Sequence, residues 1–156
     1  MDVIRVYVET SVNGPMRVKQ GVARWYRERI VDGRRVMDDT KDKGYIHGTD
    51  TTEVELTLKA LINALWKLEE GQQLEIHNSC QTVNNALQYR WYVQWSRDGW
   101  VNAYGKPIKY PKLWEMFIPM LEKRAWVIKG GTHEHSRVME YEIEKEMEKW
   151  KGEAHE

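Results

Sequence analysis

Five apolar residues, Val54, Leu58, Leu61, Leu65 and Leu68, step through the middle of the chain at three- and four-residue spacing. That period places them on one stripe of an α-helix, and a helix with a single apolar stripe needs a surface to bury it against. Thr51-Thr52 stand where capping hydroxyls belong, Glu53 and Glu55 put acids at the positive end of the helix dipole, and Gly71 is the expected stop. The segments before the helix supply the surface. Residues 3–8 are rich in β-branched types and read as a strand, Asn13-Gly14-Pro15 breaks the pattern, and Val18 to Ile30 reads as a second strand. Asp32-Gly33 suits a tight hairpin turn, so a third strand near Arg35–Asp38 is expected to pair back antiparallel.

Beyond that point Lys41 to Asp50 is polar and turn-like. After the helix come a short strand at Leu74–His77, a helical pattern over Thr82–Trp95 and an irregular stretch carrying Gly99, Gly105 and Pro107. A third helix is expected from Pro111, with Pro119 kinking or ending it; then a fifth strand at Ala125–Ile128, a loop at Gly130-Gly131 and a Glu/Lys-laced helix over Ser136–Lys151. Three antiparallel strands followed by β-α units predict an α/β protein with a five-stranded mixed sheet and helices on both faces. At 156 residues, with no linker or repeat, one domain over 1–156 is expected. No apolar run approaches the ~18–20 residues that span a membrane, and a single cysteine makes a reducing cytoplasm the default compartment. Lys+Arg and Asp+Glu both number 24, and that balance argues against gripping nucleic acid by bulk charge alone.

Candidate chemistry starts from carboxylates at strand ends and helix starts. Glu9 closes the first strand, and Glu55 lies in the first turn of the striped helix. The carboxyl end of a central strand borders the crevice where ligands bind, and two converging carboxylates there suit Mg²⁺ or Mn²⁺. Spacing alone is also met by a solvated strand-end acid and a dipole-favourable helix acid.

A larger set of motifs runs through nearly the whole chain. Val6-Tyr7-Val8-Glu9-Thr10-Ser11 leads out of the first strand, and Val54-Glu55-Leu56 opens the helix. Trp91, Trp95 and Gly99-Trp100 precede Gly105-Lys106-Pro107-Ile108-Lys109 and Leu113-Trp114, and Trp126-Val127-Ile128-Lys129-Gly130-Gly131-Thr132-His133 follows. In these segments the chain resembles ribonuclease H of type 1, whose motifs are T-D-G-S, M-E-L, a tryptophan segment ending in G-K-P-V-K-N-x-x-L-W, and W-V-K-G-H-x-G-H-x-x-N. The resemblance implies the ribonuclease H fold, an RNA–DNA hybrid as partner, and two divalent ions ~4 Å apart held by four carboxylates.

Carried over residue by residue, the first ligand is Glu9 and the second Glu55. Matching Gln81 and Val83 puts Ser79 on the third acid, and a slip of one gives Asn78 or Cys80; none of the three is acidic. The fourth is Glu140 if one loop residue is deleted, with Glu142 as the fallback and Tyr141 as the ungapped match. The family's loop histidine falls on Gly131, with His133 and His135 nearby to take its place or stand as plain loop residues. The hybrid-contacting Asn pair becomes Thr51-Thr52, beside Ser11 and Asn78. The family's basic handle is thinned to Arg90, Arg97, Lys106, Lys109 and Lys112; Trp95 and Trp114 read as packing residues and Trp100 as a candidate for base stacking. These departures imply an altered two-metal site, with hydrolysis reduced, metal-shifted or lost. The alternative is a catalytically silent module on the same fold, with a protein or nucleic-acid partner.

Overall fold

The computed structural model describes residues 2–69 and 71–154. The chain runs β1 (Val3–Thr10), β2 (Val18–Val31), β3 (Arg34–Val36), β4 (Lys43–Thr51), α1 (Glu53–Leu65), β5 (Gln73–Asn78), α2 (Gln81–Gln88), α3 (Trp91–Arg97), α4 (Pro111–Glu122), β6 (Trp126–Lys129) and α5 (Ser136–Ala154). The strands form one mixed sheet in the order β3-β2-β1-β5-β6, with β4 also paired to β2. β1 is central: antiparallel to β2 from Val3↔Ile30 to Thr10↔Ala23, and parallel to β5 from Val3↔Gln73 to Val8↔Asn78. β6 extends the parallel half against β5.

The Asp-Gly hairpin forms as expected, with Asp32 at φ 50° and Gly33 at φ 77°, the two left-handed residues that a type I′ turn needs. The polar stretch after it is different from its sequence reading. Lys43–Thr51 is a strand, so there are six strands among the described residues. β3 pairs with Arg29–Val31 and β4 with Val18–Tyr26 along the same edge of β2, so the sheet keeps five rows with the outer antiparallel row split in two. Gly44, which reads as a turn residue, stands opposite Trp25; a Cβ there would lie 2.5 Å from the indole nitrogen. The glycine makes room for a tryptophan inside a strand.

α1 packs its stripe on the sheet, burying Leu56, Leu58, Leu61, Ile62 and Leu65. It ends at Leu65 rather than Gly71, because Trp66 leaves helical geometry at ψ 125° and Lys67 follows left-handed at φ 61°; Leu68, outside the helix, still packs against the core. The expected helix over Thr82–Trp95 is two helices, broken where Arg90 takes φ 55° and sets its guanidinium 5.0 Å from the Trp126 ring centre. α4 starts with Pro111 and runs through Pro119 to Glu122. Pro119 and Glu115 are both exposed, so the carbonyl freed by the proline faces solvent. α5 covers the other face, against β1 and β2. The main core lies on the α1 side and takes in Trp114 and Phe117, whereas the α5 side holds a smaller apolar cluster of Tyr7, Tyr26 and Met139, with Met37 packed against it.

Candidate active site

Strand alternation puts Arg5, Tyr7 and Glu9 on the α5 side of β1, opposite Glu28, Tyr26 and Arg24 of β2 and, for the first two, Glu75 and His77 of β5. This face is therefore polar and aromatic, and Glu9 stands at its carboxyl end, where the parallel strands open onto a crevice. Glu9 is buried. Ser136, the first residue of α5, donates its hydroxyl to Glu9 Oε1 at 2.9 Å, and His133 Nε2 lies 2.9 Å from the same oxygen. The Ser136 hydroxyl also accepts from the His133 backbone N–H at 2.9 Å, so the loop entering α5 is tied down on Glu9.

A cleft of about 530 Å³ opens beside Glu9 and is lined by Ser11, Ser79 and Glu140, with Glu144 and Glu148 further along α5. Glu142, two residues from Glu140, is turned to β2 instead: Arg24 donates to it at 3.1 and 3.3 Å, and the Tyr26 hydroxyl donates as well. Burial alone would raise the Glu142 pKa, but the bonds from Arg24 and Tyr26 outweigh it and hold the carboxyl below the usual range.

Glu55 is not among the residues lining this cleft. It accepts from the Thr51 hydroxyl and lies 3.9 Å from Lys59 Nζ. Glu53, which the motif match passes over, is the α1 acid that feels Glu9. Burial raises its pKa, and the Glu9 charge adds to that, against hydrogen bonds from the Cys80 thiol and the Gly14 N–H. The signal for Glu53 was helical phase: it lies one turn before the buried Thr57, on the side where Cys80 packs. Cys80 itself is buried, and its thiol is pushed up to about 12, chiefly by desolvation.

The remaining candidates divide by environment. Thr52 caps α1, accepting from the Glu55 N–H at 3.3 Å, and shares a 2.8 Å hydrogen bond with the Tyr110 hydroxyl. It borders an apolar cavity of about 500 Å³ together with Lys109, Trp95 and Trp114. Asn78 is buried in the β5–α2 turn, where it accepts from the Cys80 N–H and donates to Asn84, so it serves the fold. Arg90, Arg97 and Lys106 are exposed. Trp100 is half-buried against the core, with backbone bonds to Trp95 and Ile108. Trp114 is fully buried and meets Trp95 edge-on at 5.6 Å. A group that sequence reasoning did not single out lies toward the other end of the same face, where Glu28, Glu134 and His135 come together.

No family model matches the chain. Over 87 residues it is 33% identical to the ribonuclease H of Nitratidesulfovibrio vulgaris (strain Hildenborough), covering 53% of this chain and 56% of that protein. Over 94 residues it is 33% identical to the ribonuclease HI of Xylella fastidiosa (strain Temecula1), covering 57% and 62%. The chain thus spans little more than half the length of these curated relatives. Among solved structures it is similar to LC9-RNase H1, a type 1 RNase H with the type 2 active-site motif, at TM-score 0.64 and 18% identity, over 89% of this chain and 69% of that one. It is also similar to a foamy viral protease-reverse transcriptase in complex with RNA/DNA hybrid, at TM-score 0.63 and 16% identity, over 90% of this chain and 18% of that one. The structural matches show the ribonuclease H-like fold, and over little more than half of its length the chain is similar in sequence to ribonucleases H.

Proposed function

We propose that this chain handles RNA–DNA hybrid and cuts its RNA strand slowly, at a metal site altered in its third ligand. The observation that carries the reading is the shared cleft: Glu9, Ser79 and Glu140 line it together, with a hydroxyl where the family places an acid. All three offer oxygen donors, which suits a hard divalent ion, and Mn²⁺ tolerates a reduced ligand charge set better than Mg²⁺, which demands near-ideal geometry. Such an ion, when bound, supplies Lewis acidity toward a scissile phosphate and its attacking water. The chain's own groups do the rest. Ser136 and His133 orient the Glu9 carboxylate, and His133 is placed to hold a proton next to it. Arg97, Lys106 and Lys109 are exposed and available to phosphate, each worth about one unit of salt slope.

A second reading, a silent hybrid-binding module, is favoured by one feature: Glu9 Oε1 already has Ser136 and His133 as partners. A labelled RNA–DNA hybrid, incubated in Mg²⁺ and separately in Mn²⁺, separates the two. The expected result is weak cleavage, stronger in Mn²⁺, lost in Glu9→Gln and raised about tenfold or more in Ser79→Asp, with Glu55→Gln run alongside. Salt-sensitive hybrid binding without cleavage, even in Ser79→Asp, selects the silent module. Absence of both cleavage and binding sinks either form of the proposal.

A further inference from the structure

We propose that Glu28, Glu134 and His135 form a second metal site, for Zn²⁺ or a neighbouring late first-row ion, separate from the cleft at Glu9. Glu28 stands opposite Arg5 in the β1–β2 register, four residues along β1 from Glu9, which is roughly 13 Å at about 3.3 Å per residue. Glu134 and His135 come from the loop entering α5. Ligand atoms of the three lie within 4.8 Å of one another.

The geometry is that of donors around a gap. His135 Nε2 lies 3.7 Å from Glu28 Oε2 and 3.9 Å from Glu134 Oε1. Both separations are too long for hydrogen bonds. Two donors sharing an ion through bonds of about 2.0–2.1 Å at tetrahedral angles stand about 3.4 Å apart, so a contraction of a few tenths of an ångström closes the set. His135 Nε2 is buried and has no hydrogen-bond partner among the described residues. The imidazole is aimed by its packing, edge-on to Tyr7 at 4.6 Å and tilted on Tyr26 at 5.4 Å. A buried imidazole nitrogen without a partner is a cost that a metal bond removes.

The gap presently holds a positive charge of the protein's own. Arg35 donates to Glu28 Oε1 at 2.9 Å and to Glu134 Oε1. The Tyr7 hydroxyl donates to the same two oxygens at 3.2 and 3.3 Å, and Arg5 lies 3.8 Å from Glu28 Oε1. These partners gather on Oε1 of Glu28, while Oε2 faces His135. Arg35 extends from the short, wholly exposed strand β3 and is itself exposed, so its guanidinium can swing out when an ion enters. One imidazole with two carboxylates suits Zn²⁺, Co²⁺ or Ni²⁺, whereas Mg²⁺ prefers oxygen alone. His133, which meets Glu9, precedes Glu134 directly, so the same loop serves both places.

Competition against a chromophoric chelator, with Zn²⁺ as the probe and the full chain as the receptor, tests the site. Affinity is expected to fall about tenfold or more in Glu134→Gln and in His135→Gln, to rise severalfold in Arg35→Ala, and to hold in Glu9→Gln. Co²⁺ loaded on the wild type and on Arg35→Ala should show d–d absorption that His135→Gln changes. Zinc affinity indifferent to Glu134→Gln and His135→Gln, or lost with Glu9→Gln, overturns the proposal, as does absence of binding in Arg35→Ala. Circular dichroism verifies each fold, and Glu134→Gln, at a half-exposed loop side chain, carries the test if His135→Gln does not fold.

Discussion

Glu55 lies two positions after Glu53, and an α-helix turns that step into about 200°, so the two neighbouring acids meet opposite surroundings. Glu55 has Thr51 and Lys59; Glu53 has burial, Cys80 and the charge of Glu9. Motif spacing selects Glu55, because a motif preserves order along the chain but not the residue at which the helix begins. Thr52 starts the helix here, and that start decides which acid faces the sheet end. A testable sign follows from burial. The folded state raises the Glu53 pKa, so its favourable contribution is full below the ordinary carboxylate value and is lost as pH rises through the raised one. Glu53→Gln is therefore expected to raise the thermal midpoint at pH 8, with the gain shrinking toward pH 4. A lower midpoint at pH 8 would mean that the ionised carboxylate holds the Gly14 loop in place.

At the level of elements, the apolar stripe and the Asp-Gly turn were legible in the sequence because each is a local pattern with a local cause. β4 was not. Its residues are polar since one face of an edge strand meets water, and its glycine answers to Trp25, which is distant in sequence. The break between α2 and α3 was hidden for a similar reason: Arg90 takes its left-handed turn over Trp126, a residue of another strand. Gly44→Ala puts this account at risk. A Cβ 2.5–2.7 Å from three indole atoms forces Trp25 or the strand to move, and overpacking of this kind costs about 1–3 kcal/mol. Urea unfolding should register that loss, and an unchanged midpoint would show that Trp25 has another place to go.

For the molecule as a whole, the balance of charge conceals an uneven distribution. One face of the sheet is buried by aliphatic packing, and the other is covered by α5 and the loop before it through Arg24–Glu142 and His133–Glu9 contacts, beside the Arg35–Glu28 pair between β3 and β2. Acid should loosen that second face first. Desolvation lowers the His77 pKa despite its bond to Glu75, so the fold favours the neutral ring. That stability is full above the ordinary value of about 6.5 and is lost as pH falls below it. Glu75, Glu134 and Glu142 are held below the usual carboxylate range: at Glu75 and Glu142 their partners outweigh burial, and at Glu134 the Arg35 bond is the main cause. Their contributions disappear at lower pH still. The unfolding midpoint is expected to drop in two stages, the first between pH 7 and 5 and diminished in His77→Phe. A flat profile down to pH 5 would contradict the assigned burial of His77.

The central place of β1 also has a consequence in time. During synthesis, one edge of β1 is covered as soon as β2 appears, while the other stays open until β5 arrives, with Gln73 pairing back to Val3. Ser136 stands 127 residues beyond Glu9, so their bond is among the last long-range links that the growing chain can make. The acidic cleft is therefore absent from a growing chain that has not yet reached α5, and it comes into being only as α5 docks. Whatever the cleft binds, it begins binding only once the last helix of the described fold has reached the first strand.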